Sequence, residues 1–217
     1  MKSDAQLKKD VEAELDWEPK VNAARIGVEV KEGIVTLAGH LDSFPEKLAA
    51  ENAAQRVNGV RGVAVEIDVK LPGASRRTDS DIAHAAVDAL TWNTLVPSGS
   101  VKLTVEEGWI TLEGDVEWEY QRSAAESAVR PLIGVMGIRN AVKVKPRPSQ
   151  GNIKGKIEAA LQRAAHVQAD GISVAVEGGK VTLSGKVHSY TDRHLVEEAA
   201  WAAPGVASVV DRIQISP

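Results

Sequence analysis

The sequence Gly33-Ile34-Val35-Thr36-Leu37-Ala38-Gly39 decides the fold of this chain, because it occurs in three versions. The other two are Gly108-Trp109-Ile110-Thr111-Leu112-Glu113-Gly114 and Gly179-Lys180-Val181-Thr182-Leu183-Ser184-Gly185. In each version two glycines frame an alternation of apolar residues around a fixed Thr. This period of two predicts a β-strand with one buried face. We therefore expect three structural units of one kind.

The residues around each version repeat as well, without a gap from Leu7, Ile82 and Ile153 onward. Each unit starts with apolar residues four apart, which predicts an amphipathic helix. The repeated stretch then forms the second strand of a β-hairpin. A second helix starts near Ser43 in the first unit, and residues 63–69 alternate as a third strand. The order in every unit is α-β-β-α-β.

This order predicts an α+β fold made of three tandem αββαβ domains. A right-handed crossover through the second helix would place the third strand parallel to the second. Each domain is then a three-stranded mixed sheet with two helices on one face. We expect glycines at loop, strand-end and helix-end positions to be structural. These are Gly33, Gly39, Gly59, Gly108, Gly114, Gly134, Gly179, Gly185 and Gly205.

The predicted domain boundaries follow from two short segments rich in Pro, Gly, Ser and charged residues. Residues 72–78 and 146–152 have this composition, which is typical of linkers. The three domains therefore span residues 1–71, 79–145 and 153–217.

The charge of the chain argues against some classes of partner. The net charge is −4, and the first domain has ten basic against thirteen acidic residues. The second has six against ten, and the third has seven of each. Nucleic-acid binding requires a basic surface, so we expect no nucleic-acid partner. Strong electrostatic attraction to anionic lipid is disfavoured for the same reason.

The composition also bears on the location of the protein. There is no cysteine, and no apolar run approaches the length of a membrane span. Met1 leads directly into an amphipathic pattern without the apolar segment of a secretory signal. We predict a cytoplasmic protein without a transmembrane segment. The alternative is a periplasmic protein, if the chain is a processed form.

No pattern of residues predicts catalysis. The histidines lack the H-E-x-x-H spacing of a metal site. They are His40, His84, His166, His188 and His194. The carboxylate pairs Glu106-Glu107 and Glu197-Glu198 are adjacent in sequence, so their side chains do not face each other. There is no nucleophile motif and no phosphate-binding loop. We expect no enzymatic activity, no metal and no cofactor.

The tryptophans are the candidate contact residues. Trp17 and Trp92 occupy the same repeat position, where the third unit has Arg163. We expect both to pack in the core, with membrane or partner contact as the alternative.

Trp109 is predicted to lie on the outer face of its sheet. Its parity in the strand is opposite to that of Ile110 and Leu112, so it should lie near Thr111. On the third strand its neighbours would be Arg139, Ala141 and Lys143. It either packs against a neighbouring unit or contacts a ligand, lipid or second subunit. The full set of candidates is Trp109, Trp118, Tyr120, Arg139, Lys143, Trp17 and Trp92.

The repeated pattern resembles the BON domain family (bacterial OsmY and nodulation). The resemblance rests on Val28-Glu29-Val30 leading into the G-x-V-T-L-x-G frame, and on Gly59-Val60 with apolar residues following at Val63, Ile67 and Val69. Both pieces recur in the other two units. Where Asn140 stands, the family often has Asn, so a role for that amide is expected only in the middle unit.

The resemblance implies a non-catalytic protein linked to osmotic and envelope stress, whose domains engage phospholipid surfaces or envelope material. Many family members are periplasmic, and some are associated with potassium sensing. Two alternatives remain open. One is a cytosolic protein-interaction scaffold, and the other is a module that senses a small ligand or ion.

Overall fold

The computed structural model describes residues 2–146, 151–163 and 171–216. Each repeat has the predicted order of elements. The first contains α1 (Asp4–Trp17), β1 (Ile26–Lys31), β2 (Ile34–Leu41), α2 (Phe44–Arg56) and β3 (Gly62–Val69). The second contains α3 (Asp79–Trp92), β4 (Val101–Glu106), β5 (Trp109–Val116), α4 (Glu119–Val129), β6 (Gly137–Asn140) and β7 (Lys143–Val144). The third contains α5 (Ile153–Arg163), β8 (Ile172–Glu177), β9 (Lys180–Val187), α6 (Tyr190–Trp201) and β10 (Ser208–Ile215).

The three sheets have the predicted topology. In the first, β2 is central, pairing antiparallel with β1 and parallel with β3. In the third, β9 is central in the same way. In the second, β5 pairs with β4, with β6 and with the short β7. A parallel pair needs a crossover connection, which α2, α4 and α6 provide. The predicted α+β fold with mixed sheets is confirmed.

The core of each repeat lies between the helices and one face of the sheet. In the first repeat, Val35 and Leu37 of β2 are buried, whereas Ile34 before them and Ala38 after them are exposed. The helices contribute their apolar stripes: Leu7, Val11 and Leu15 from α1, and Ala50, Ala53 and Ala54 from α2. Burying one Leu or Val side chain stabilises a fold by about 1.5–3 kcal/mol. The alternation along β2 therefore fixes which face the helices cover.

The third repeat has the same core in sequence-equivalent positions. Ile157 and Leu161 of α5 pack with Val181 and Leu183 of β9. Val196 and Ala200 of α6 complete this cluster.

The hairpin turn of each repeat consists of two residues with positive φ, as in a type I′ turn. The φ angles are 53° and 78° at Glu32-Gly33, 49° and 76° at Glu107-Gly108, and 54° and 85° at Gly178-Gly179. Gly33, Gly108 and Gly179, which we expected to be structural at loop positions, occupy the second turn position with positive φ. The sequence did not predict that Glu32 and Glu107 would share this conformation.

The second glycine of each repeated stretch is required by a close backbone approach. At Gly39 a Cβ atom would collide with the carbonyl oxygen of Arg25. The same collision would occur at Gly114 with Ser100, and at Gly185 with Gly171. The backbone at these glycines is also in the positive-φ region, at 147°, 141° and 139°. Any side chain at this position would therefore displace the first strand of the sheet.

The chain divides into two compact units. One comprises residues 1–115 with 120–143, and the other comprises residues 116–119 with 144–217. The first contains the β1–β3 sheet, and the second contains the β8–β10 sheet. The boundaries 1–71, 79–145 and 153–217 each enclose one sheet and its two helices. That each span is an independent domain stays a prediction.

Candidate contact surfaces

Trp17 and Trp92 lie at the last residues of α1 and α3 and are almost fully exposed. Their exposed fractions are 82% and 86%. The prediction that both pack in the core is wrong. Trp17 lies two residues after the buried Leu15, which rotates its side chain about 200° around the helix axis and away from the core. Arg163, the third-repeat counterpart, is exposed as well.

Trp109 lies on the outer face of the middle sheet, as predicted. It is 52% exposed and is the cross-strand partner of Gly137. A Cβ atom on Gly137 would collide with the Trp109 ring, so the indole covers the backbone of β6. The Trp109 side chain therefore packs partly on its own sheet and is partly exposed to solvent.

The neighbours predicted for Trp109 are on the same face. Thr111 pairs with Arg139, two residues along each strand from the Trp109–Gly137 pair. Arg139, Ala141 and Lys143 are all exposed. The outer face of the middle repeat thus combines one indole with two basic side chains.

The other two candidates lie near the start of α4. Trp118 is half-buried directly before this helix, and Tyr120 in its first turn is 54% exposed. The structure therefore distributes the predicted residues over helix ends, one sheet face and one helix start. Their role in binding stays a prediction.

Position 140 of the middle repeat links helix and sheet. The Asn140 amide donates to the Arg122 carbonyl at 3.0 Å and to the Glu126 carboxylate at 3.2 Å, while its oxygen accepts the N–H of Val142. Asn140 is the last residue of β6, and the strand resumes as β7. An edge-strand N–H is thereby satisfied within the repeat.

The third repeat uses Asp211 for the same purpose. Asp211 accepts the N–H of Ile213 at 2.7 Å and forms an ion pair with Arg193 of α6. The amide acts in the middle repeat, as expected, and in the third repeat the Asp211 carboxylate accepts the equivalent backbone N–H. In the first repeat Val65 occupies the position, and Lys47 of α2 donates to the Ile67 carbonyl at 2.7 Å.

Sequence reasoning missed a contact between the first helix and the hairpin turn. Asp4 accepts the N–H groups of Glu32 and Gly33 at 2.8 and 3.1 Å. The middle repeat has the same contact. There Asp79 accepts the N–H groups of Glu107 and Gly108, both at 2.9 Å.

The sequence contained a signal for this contact. In both repeats the aspartate directly follows the residue that caps the helix, Ser3 or Thr78. At the corresponding position the third repeat has Gln150, which lies outside the described residues.

Two carboxylates have a lowered pKa because of local hydrogen bonds. The hydrogen bonds from Thr78 hold the pKa of Asp81 below its ordinary range, and Lys2 does the same for the pKa of Asp10. Both carboxylates are on the surface. Within residues 2–146, 151–163 and 171–216, no three His, Asp or Glu side chains converge as a metal site would require. In the same ranges no helix is long and apolar enough to cross a membrane.

Comparisons with known proteins agree on the family. The sequence profile described as "BON domain" matches three times, at residues 3–70, 78–146 and 149–217. The chain is 28% identical to "Osmotically-inducible protein Y" of Escherichia coli K12 over 146 residues, which cover 65% of this chain and 73% of that protein.

Solved structures were compared as well. CdsD, described as a structural protein of the type III secretion system of Chlamydia trachomatis, is 15% identical over 98% of this chain and 93% of its own, with a TM-score of 0.26. The PrgH periplasmic domain is 12% identical over 89% and 96%, with a TM-score of 0.22. These scores are too low to show a shared overall fold.

Proposed function

Because this chain belongs to the BON domain family, we propose that it is a non-enzymatic protein of the osmotic stress response that contacts phospholipid surfaces. Trp17 of the first repeat and Trp92 of the second make this contact. The link to osmotic stress is supported by the name of the E. coli relative. The link to phospholipid is supported by the exposure of the two indoles.

The observation that carries the proposal is the repetition of an exposed tryptophan. Trp17 and Trp92 occupy equivalent positions at the ends of α1 and α3, with exposed fractions of 82% and 86%. An exposed indole contributes nothing to the core, yet transferring a large apolar side chain out of water is worth about 2 kcal/mol. Tryptophan is enriched at membrane interfaces because its ring is apolar and its N–H is polar.

The charge of these repeats determines what kind of lipid binding is expected. Both repeats are acidic. The first has thirteen acidic and ten basic residues, and the second has ten acidic and six basic residues. Near Trp17 the carboxylates of Glu14 and Glu18 are bound by Arg56. Anionic lipid would therefore gain little from electrostatic attraction. We expect binding to zwitterionic vesicles that depends on the indoles and changes little with salt.

Vesicle co-sedimentation of the double variant Trp17→Ala/Trp92→Ala tests the proposal. Wild type should sediment with phosphatidylcholine vesicles, and the double variant should remain in the supernatant. Each single variant should bind more weakly than wild type, because one indole is lost, and more tightly than the double variant, because one indole remains. Circular dichroism checks that the folds are the same.

Ile133→Ala is the matched control, because Ile133 is also apolar and 59% exposed in the middle repeat but is not at the tryptophan position. This variant should sediment like wild type. Equal sedimentation of the double variant and wild type would contradict the proposal.

A second candidate function is binding of a protein partner by the outer face of the middle sheet. The observation that favours it is Trp109, which is half-exposed beside the basic side chains of Arg139 and Lys143. Aromatic and Arg side chains are enriched in protein interfaces. Trp109→Ala should then reduce recovery of a specific partner in a pull-down while leaving vesicle binding unchanged. If the partners recovered are the same for both proteins, this candidate is rejected.

A further inference from the structure

The outer faces of the first and middle sheets each expose one large apolar side chain at the same repeat position. Ile34 begins β2 and Trp109 begins β5, and both side chains are 52% exposed. Each is the cross-strand partner of a glycine, Gly62 or Gly137, so the neighbouring strand has no side chain there. The third repeat has Lys180 at this position. Because both apolar residues are exposed, the two faces do not cover each other within one chain.

The outer face of the first sheet has a carboxylate on each side of its central strand. On one side, Glu29 of β1 is the cross-strand partner of Thr36. On the other side, Glu66 of β3 is the partner of Ala38. Both carboxylates are exposed.

The outer face of the middle sheet has a basic residue on each side of its central strand. Arg139 of β6 is the cross-strand partner of Thr111, and Lys102 of β4 is the partner of Glu113. Both basic side chains are exposed. In the described part of the chain, neither they nor the two carboxylates of the first face have a side-chain hydrogen bond or ion pair. These four charged groups are therefore available to a partner surface.

The two faces fit together in a common arrangement of packed sheets. Sheets pack face to face about 10 Å apart with their strands nearly aligned. If β5 of one sheet lies over β2 of the other in the same direction, Trp109 lies opposite Ile34. In this arrangement the third strand of each sheet faces the first strand of the other.

The strand registers then bring opposite charges together at two places. Thr111 and Thr36 are equivalent repeat positions, so their neighbours Arg139 and Glu29 face each other. In the same way, Ala38 and Glu113 are equivalent positions. Their neighbours Glu66 and Lys102 therefore also face each other. The apolar pair and the two ion pairs form in one and the same docking arrangement.

We propose that the outer face of the first sheet binds the outer face of the middle sheet in a second copy of this chain. The proposal rests on the second candidate function, because it names the partner of the Trp109 face. Two middle faces would place one Glu113 opposite the other, and like charges disfavour that pairing. Two first faces would bring no basic residue opposite Glu29 or Glu66. A contact between unlike faces leaves one of each free, so copies join head to tail.

The size of the faces predicts a weak association. Each has three strands about 4.8 Å apart, and those of the first sheet are six to eight residues long, which gives roughly 400 Å². A stable interface buries about 800 Å² on each partner. We therefore expect assembly that increases with protein concentration and weakens with salt, because the ion pairs lie near the rim of the contact.

Sedimentation velocity over a concentration series tests the proposal. The sedimentation coefficient of wild type should rise with concentration. The middle-face variant Lys102→Glu/Arg139→Glu should associate roughly tenfold more weakly, because exposed ion pairs become like-charge contacts. The first-face variant Glu29→Lys/Glu66→Lys should be weakened to the same extent.

A mixture of the two variants distinguishes this docking from other kinds of self-association. Each reversed face then meets a complementary face on the other variant, so the equimolar mixture should associate like wild type. A mixture no more associated than its separate components would overturn the proposal. Loss of association in one of the two variants and not in the other would also overturn it.

Asp16→Lys/Asp88→Lys is the control, because it changes the net charge as much as the first-face variant but at exposed helix positions. It should associate like wild type, whereas Trp109→Ala should associate more weakly. Circular dichroism checks that the folds are the same. Wild type that stays monomeric at every concentration would overturn this inference. The second candidate function would fail separately, if Trp109→Ala recovered the same pull-down partners as wild type.

Discussion

The first two repeats and the third repeat share one backbone and differ in what they expose. Each of the first two has an exposed Trp at the end of its first helix and an Asp that closes its hairpin turn. The third has Arg163 at the helix end, and its sequence has Gln150 where the other two have the aspartate. Core positions are constrained by packing, whereas these surface positions are free to diverge. The repeats therefore present different contact chemistry on the same scaffold.

The largest expected effect concerns a position that all three repeats share. Gly114→Ala should destabilise the protein by about 2–4 kcal/mol, because the new Cβ atom collides with the Ser100 carbonyl and the φ angle is 141°. Gly185→Ala should cost a similar amount in the third repeat. Urea unfolding monitored by circular dichroism measures both.

Gly62→Ala is the control for these variants, since its Cβ atom would meet Ile34 at an ordinary distance of 3.8 Å. A small cost at Gly62 and a large cost at Gly114 and Gly185 is the expected result. If Gly185→Ala were neutral, the third repeat would not share the close strand approach, and the comparison of equivalent backbones would fail.

The hydrogen bonds between the hairpin turn and the first helix should stabilise the repeats in which an aspartate accepts them. Asp79→Ala removes the acceptor of two N–H groups and should lower the free energy of unfolding by about 1–3 kcal/mol. Asp4→Ala should have a similar effect in the first repeat. Asp88→Ala, on the exposed surface of the same helix α3, is the control and should be nearly neutral. Thermal unfolding provides the measurement, and equal stabilities of the Asp79 and Asp88 variants would contradict this account.

The contacts of Asn140 and Asp211 join the second helix to the third strand in the middle and third repeats, so their contributions to stability can be compared. Asp211→Ala removes the acceptor of the Ile213 N–H and the ion pair with Arg193. Asn140→Ala removes the corresponding bonds in the middle repeat. We expect each to cost about 1–2 kcal/mol in urea unfolding. A neutral Asp211→Ala, beside a destabilising Asn140→Ala, would show that the carboxylate does not replace the amide.

The smallest expected effect is the pH dependence of the α3 cap. Hydrogen bonds from Thr78 lower the pKa of Asp81 in the folded protein. The cap therefore stabilises the fold above the unfolded pKa of about 3.9, and this stability is lost as pH falls through the lower folded pKa. Wild type should be more stable than Asp81→Asn at neutral pH, and the difference should vanish in acid. A constant difference across this range would contradict the assignment.

The fold could be predicted because burial and turn geometry leave a periodic trace in sequence. The alternation of Val35 and Leu37 indicated a strand, and the glycines at positions 33, 108 and 179 indicated the turns. The exposure of Trp17 could not be predicted from composition, because indoles are usually buried. The position of Trp17 relative to Leu15 did indicate exposure, because side chains two residues apart on a helix point about 200° apart around its axis.

The contacts of Asp4 and Asp79 could not be predicted for a different reason. Each aspartate is 28 and 29 residues from the groups that it binds. Only the packing of the first helix against the hairpin brings them together. The divergence of the third repeat at this site becomes visible only after that packing is known.

Fluorescence quenching by lipids brominated along their acyl chains is the most direct test of the central claim, lipid contact by Trp17 and Trp92. Vesicles containing such lipids should quench the tryptophan fluorescence of wild type strongly. The variant Trp17→Phe/Trp92→Phe, which keeps Trp109, Trp118 and Trp201, should show little quenching. Undiminished quenching in this variant, or none in wild type, would contradict the account.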